Sequence, residues 1–265
     1  MSIATGTIEY TLEASPVSGC GVSWSIDELD AALSGPVLKV VFDDSGKADI
    51  SALLSGLTET DFEKSQVERI LADNKPPEDW RVGEALAESY LVHQRDCFFP
   101  WPDGRDERKT GSSLPGADLV GFKNDDGEDY FAFGEVKTSA ENTYPPGTMY
   151  GRTGLKQQLE DLKDSTAIKD DLVKYLGYRA SVAAWKSQYQ GAAKKYIKSK
   201  TNVRVFGFLV RDVEPRQDDL RARVNRLAKD AHADMKIELL AVYLPAGSIS
   251  TLSSKVTTYR KGSAE

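Results

Sequence analysis

Val203-Arg-Val-Phe-Gly-Phe-Leu-Val210 is apolar at nearly every position, and this run constrains the fold more than any other feature of the chain. A strand with one face in water alternates apolar and polar residues, whereas this one must be covered on both faces. Ile237 to Leu244 reads as a final strand, behind a charged helical segment at 216–232. Upstream, Trp80 to Val92 places apolar residues at 82, 85, 86, 90 and 91, the spacing of an amphipathic helix. Ala117 to Phe122 and Tyr130 to Val136 read as two strands joined by a hairpin turn, Asn124 to Asp129, with Asp126-Gly127 at its centre. Leu155 to Leu162 opens a helical region continuing through 166–200. From residue 80 the order is therefore helix, strand, strand, helix, strand, helix, strand, which is α/β with a mixed sheet.

The first part of the chain reads as a smaller α+β unit. Pro36 to Phe42 is a β-rich run that stops at the turn cluster Asp43-Asp44-Ser45-Gly46, and Thr60-Asp61 opens a capped helix. Asn74-Lys75-Pro76-Pro77 breaks the chain, so a unit at 1–76 and a second at 77–265 are expected. Charge divides in the same way: net −10 over residues 1–80, −6 over 81–150 and +9 over 151–265. The basic last section keeps a polyanionic partner open despite the overall charge of −7. The first ten residues carry no basic start or apolar stretch, and the apolar runs fall far short of the roughly 20 residues that span a bilayer. Cys20 and Cys97 are too few for a disulfide framework or a zinc knuckle. A soluble, cytoplasmic protein without membrane contact is the expectation.

The chemistry concentrates between Leu114 and Ser139. Asp118 opens the first hairpin strand, Glu135 lies near the end of the second, and Lys137 follows on the same face of that strand. The antiparallel return brings Asp118 beside Glu135. Two carboxylates a few ångströms apart resist joint ionisation unless a cation joins them. Mg²⁺ or Mn²⁺ anchored by Asp118 and Glu135, with Lys137 orienting a water or neutralising a phosphorane, makes a set suited to phosphodiester cleavage. A Glu-x-Lys pair is often only an exposed ion pair, and Asp118 only a turn residue. The apolar runs around them argue otherwise, because an uncompensated buried charge costs several kcal/mol. Glu84 and Glu88, spaced i, i+4, offer a third acid, either as a metal ligand or as a water-orienting group; the bland alternative is a solvated helix face. Gln157 or Gln158 follows on the next helix as a candidate for holding water or phosphate.

An acidic helix, Gly116-Ala-Asp118, a hairpin, Glu135-Val-Lys137 and a Gln-bearing helix together resemble the core of the PD-(D/E)XK nuclease superfamily over residues 80–245. Pro115 stands three positions before Asp118 instead of immediately before it, a departure from the motif. Within the superfamily, GEALAESYL, LPGADLVGF and FGEVKTS resemble the HamA family, the nuclease partners of a helicase in Hachiman antiphage defence. The resemblance implies a restriction-endonuclease-like mixed sheet flanked by helices. It also implies a metal-dependent deoxyribonuclease with Asp118, Glu135, Lys137, Glu84 or Glu88, and Gln158 in the site, restrained by a helicase subunit.

Lys194, Lys195, Lys198 and Lys200, with Tyr189 and Tyr196 nearby, form a basic run suited to tracking phosphates, and Arg204, Arg221, Arg223 and Arg226 add to it. The same residues also suit a solvated helix face. His93 and His232 are too few for a histidine-rich zinc site, and no GxxxxGK[ST] is present, so any ATP-driven step belongs to a separate protein. The competing reading is a catalytically inactive nuclease fold serving as a DNA-binding or scaffolding subunit.

Overall fold

The structure is a computed structural model that describes residues 3–73, 75–102, 105 and 116–262. Asn74 of the expected boundary, Leu114, Pro115 and most of the preceding loop lie outside the described residues. Seven strands, β1 (Thr7–Ala14), β2 (Val17–Ser23), β3 (Cys97–Phe98), β4 (Leu119–Asp125), β5 (Glu128–Ser139), β6 (Arg204–Arg211) and β7 (Lys236–Tyr243), form one sheet in the order β1-β2-β7-β6-β5-β4-β3. The central four, β2, β7, β6 and β5, run parallel, and antiparallel strands finish each edge.

Among the described residues the helices are α1 (Ile26–Leu33), α2 (Pro36–Val41), α3 (Asp44–Ser55), α4 (Asp61–Leu71), α5 (Asp79–Gln94), α6 (Leu155–Asp164), α7 (Thr166–Ala180), α8 (Lys186–Lys198), α9 (Arg221–Ala228) and α10 (Leu252–Gly262). They divide between the sheet's faces. Leu29 of α1, Val37 of α2, Leu86 and Tyr90 of α5 and Val256 of α10 pack with Ala132, Val136, Phe208 and Val242. Leu159 of α6, Leu176 of α7, Tyr196 of α8 and Val224 of α9 pack with Phe131, Phe133, Val205 and Leu209. Every residue of β6 is buried, as its unbroken apolar run requires. At the β4–β5 turn Asp126 and Gly127 both adopt positive φ, 51° and 84°, the backbone of a type I′ hairpin.

Two expectations are corrected. Of the expected strand Pro36 to Phe42, Pro36 to Val41 is helical, with Pro36 in the first helical turn, and Phe42 caps it; Asp43 follows at φ 45°. The N-terminal residues are not a separate sheet unit. β2 is hydrogen-bonded to β7 from Val17↔Ile237 to Ser23↔Tyr243, and Trp24, Leu29 and Leu33 share one core with Leu86 and Phe208, so the break at 76/77 does not divide the core. The helical region expected through 166–200 is present, as α7 and α8 separated by a turn at residues 181–185. No helix among the described residues is long and apolar enough to cross a membrane.

Candidate active site

Alternation along β5 places Phe131 and Phe133 on the α6–α8 face and Ala132 and Val136 on the α5 face. Glu135 and Lys137 therefore project with the phenylalanines. β4 and β5 pair from Leu119↔Gly134 without a register shift, so the residue before Leu119 lies opposite Glu135. That residue is Asp118, and one of its oxygens, Oδ2, accepts the Val136 N–H at 2.8 Å. Lys137 Nζ stands 3.8 Å from Asp118 Oδ2 and 3.6 Å from Glu135 Oε2. The three groups that the sequence singled out converge at the carboxyl end of a parallel strand, the place where open α/β sheets bind ligands.

Glu135 is 1% exposed, and its Oε2 is buried without a hydrogen-bond partner. Burial pushes its carboxyl up to about 9, the Asp118 charge pushes in the same direction, and Lys137 opposes both. At neutral pH the pair therefore holds a proton on Glu135, which donates to Asp118. An orphaned buried oxygen beside a second carboxylate is the donor set that a hard divalent cation satisfies, displacing the shared proton.

The third acid is not brought in. Gly83 of α5 lies so close to β5 that a Cβ there would stand 2.0 Å from Thr138 Oγ1, which seats the helix on the face of Val136 and Thr138, opposite Glu135. Glu84 pairs with Arg81 at 3.2 Å on its own helix, and Glu88 lies in the field of Arg105. Among the described residues no cluster of three or more His, Cys, Asp or Glu is placed to hold a metal ion. The i, i+4 spacing is real, but the helix that carries both acids packs on the opposite face of β5 from Glu135.

Helix α6 does approach the acid pair. Leu159 covers Gly207, the β6 partner of Glu135, so closely that a Cβ on Gly207 would meet Leu159 Cδ1 at 2.7 Å. One residue earlier, Gln158 has its Oε1 buried and without a hydrogen-bond partner. Gln157 instead donates to Asp161 on its own helix at 2.9 Å.

The basic run lies elsewhere. Lys195 donates to the Asp129 carbonyl at 3.1 Å, near the start of β5, six residues and therefore roughly 20 Å of strand from Glu135. Lys200 pairs with Asp170 at 2.6 Å, Arg204 with Asp125 at 2.5 Å and Arg223 with Glu160 at 2.9 Å. Tyr196 is buried, its hydroxyl donating to Asp170. The run with Lys194 and Lys198 therefore sits at the opposite end of β5 from the acid pair, with much of the cluster's charge already matched.

Arg211 was not anticipated. It is fully buried at the end of β6, donates to the carbonyls of Ser139 (3.0 Å) and Thr143 (2.8 Å), and pairs with Asp219 at 3.3 Å. Tyr243 donates to the same Asp219 oxygen at 2.9 Å and meets Tyr10 at 2.8 Å. This network fixes the segment that leaves β5 directly after Lys137. A charged pair closing an apolar strand, Arg211-Asp212, was its only trace in the sequence.

No protein-family model matches this chain, and no curated protein matches it in sequence.

Proposed function

We propose that the chain is a divalent-metal-dependent nuclease that hydrolyses phosphodiester bonds in DNA. The observation that carries this reading is the buried Glu135 carboxylate, with one oxygen orphaned, facing Asp118 across the hairpin and sharing Lys137 with it. A structural ion pair has no use for an unmatched second acid at 1% exposure, whereas a cation site does. Mg²⁺ or Mn²⁺, when bound, supplies charge for the phosphate and a more acidic water. Asp118 and Glu135 would hold that ion through their carboxylates. Lys137 would hold the attacking water or the non-bridging phosphate oxygen as a compact positive charge. Gln158 is a candidate second hydrogen-bonding group for the same water.

DNA as the substrate, the restriction-endonuclease-like class of the fold, a role in antiviral defence and control by a helicase subunit follow from the resemblance of Gly116-Ala-Asp118 and Glu135-Val-Lys137 to that superfamily. The test incubates plasmid and linear DNA with the wild type and with Glu135→Ala plus Lys137→Ala, in Mg²⁺, in Mn²⁺ and in EDTA. Loss of DNA confined to the wild type with metal supports the reading. Equal loss in both proteins rejects catalysis by these residues, and loss in neither favours the scaffold alternative.

A further inference from the structure

A cleft of about 580 Å³ opens between the start of α3 and the corner where α7 meets α8. Trp101, Tyr178, Arg179 and Trp185 line it, the Arg179 guanidinium lying 5.0 Å over the Trp101 ring and donating to the Tyr175 carbonyl at 2.9 Å, and Ser45 and Asp49 face them. The volume falls within the range of small-ligand sites. Two rim residues are apolar and open to solvent: Tyr178 is 73% and Val182 93% exposed. Of the basic residues between 172 and 200, Arg179 lines the cleft, while Lys174, Lys195 and Lys200 are paired with Asp171, Glu128 and Asp170. The facing wall is different. Asp43 grips Arg105 through both oxygens at 2.7 Å, and Asp49 lies nearby, so that side offers hydrogen-bond acceptors and not spare positive charge.

We propose that this cleft is a nucleotide subsite for a single-stranded segment of nucleic acid, a proposal that rests on the nuclease reading and extends it to the form of the substrate. The exposed Tyr178 ring takes an unstacked base irrespective of its identity, beside a Trp101 already stacked by Arg105 and Arg179, and the outer edge of the Arg179 guanidinium takes its phosphate. Ser45 and Asp49 face the base edge, where a carboxylate accepts from an exocyclic amine. The cleft is linked to the acid pair by α7. Leu172 touches Gly116, two residues before Asp118, at 3.2 Å from where a Cβ would stand, and Arg179 follows about 10 Å further along the helix axis. A strand running along α7 would join the two sites.

The experiment measures binding of fluorescein-labelled dT12 and dC12 to the full chain in EDTA, by anisotropy and by quenching of tryptophan fluorescence. Tyr178→Ala and Arg179→Gln are each expected to weaken binding at least five-fold with unchanged thermal unfolding, and Tyr178→Phe to bind as the wild type. The wild type is expected to prefer dC12 to dT12, and that preference to vanish in Asp49→Ala. Wild-type affinity in Tyr178→Ala, or a wild type that ignores both oligonucleotides, overturns the proposal; the second result leaves a protein ligand for this cleft. The two readings separate cleanly. Retained binding without metal-dependent cleavage removes the hydrolysis reading alone, and cleavage with binding indifferent to Tyr178 removes the subsite alone.

Discussion

Replacing Glu135 by glutamine should stabilise the protein, and the stabilisation should grow with pH. In the folded chain the Glu135 carboxyl is raised from 4.5 to about 9 by burial and by Asp118. A group whose folded value lies above its unfolded value contributes most below the unfolded value, and that contribution is lost as pH rises towards the folded value. Each pH unit between those limits costs the wild type about 1.4 kcal/mol, which amounts to ~3 kcal/mol at pH 7. The glutamine amide cannot ionise and can still donate to Asp118, so the variant escapes this loss. For a chain of this size ~3 kcal/mol corresponds to about 6–12 °C in Tm. The assay is thermal and urea unfolding of both proteins in EDTA at pH 5, 7 and 9. Curves that converge near pH 5 and separate by pH 9 are expected. Parallel pH profiles, or a variant less stable than the wild type at pH 8, would refute the assignment of Glu135 as the strained group.

Three further outcomes are expected. Lys137→Met removes the only cation within 4 Å of either acid among the described residues, and metal-dependent cleavage should fall about 100-fold or more while unfolding changes little; undiminished single-turnover rates would remove Lys137 from the chemistry. Arg211→Met leaves the buried Asp219 charge with Tyr243 alone and removes the Arg211 donors to the Ser139 and Thr143 carbonyls, at a cost of ~3–5 kcal/mol in urea unfolding. Gly83→Ala drives a methyl group into Thr138 Oγ1 and should cost ~1–3 kcal/mol, while Gly83→Ala with Thr138→Ala should recover most of it in a double-mutant cycle.

What the sequence made legible follows from strand periodicity. The β6 run announced a strand covered on both faces, the Asp126-Gly127 turn announced the hairpin, and period two placed Glu135 and Lys137 together. β2 was invisible because VSGCGVS is too rich in glycine and serine to read as a strand. Those glycines make room for neighbours: a Cβ on Gly19 would meet Val224 at 2.8 Å, and one on Gly21 would meet Tyr10 at 2.3 Å. Val37 to Phe42 misled in the opposite direction, since β-branched residues behind Pro36 adopt helix when tertiary packing demands it. Helical spacing put Glu84 and Glu88 on one face of α5 but carried no information on which side of the sheet that helix packs. Lys195 and Lys200 looked available because their partners, the Asp129 carbonyl and the Asp170 carboxylate, are distant in sequence. Arg211 illustrates the same limit: its Ser139 and Thr143 partners come from the end of β5 and the loop behind it, far from it in sequence.

The central claim is that Asp118 and Glu135 grip a hard cation by giving up a proton, and calorimetric titration of Mn²⁺ into the protein at pH 7, in two buffers of different ionisation enthalpy, tests it directly. One Mn²⁺ bound per chain with release of close to one proton, abolished in Glu135→Gln, is the expected result. Binding without proton release, or binding that survives the substitution, would contradict it.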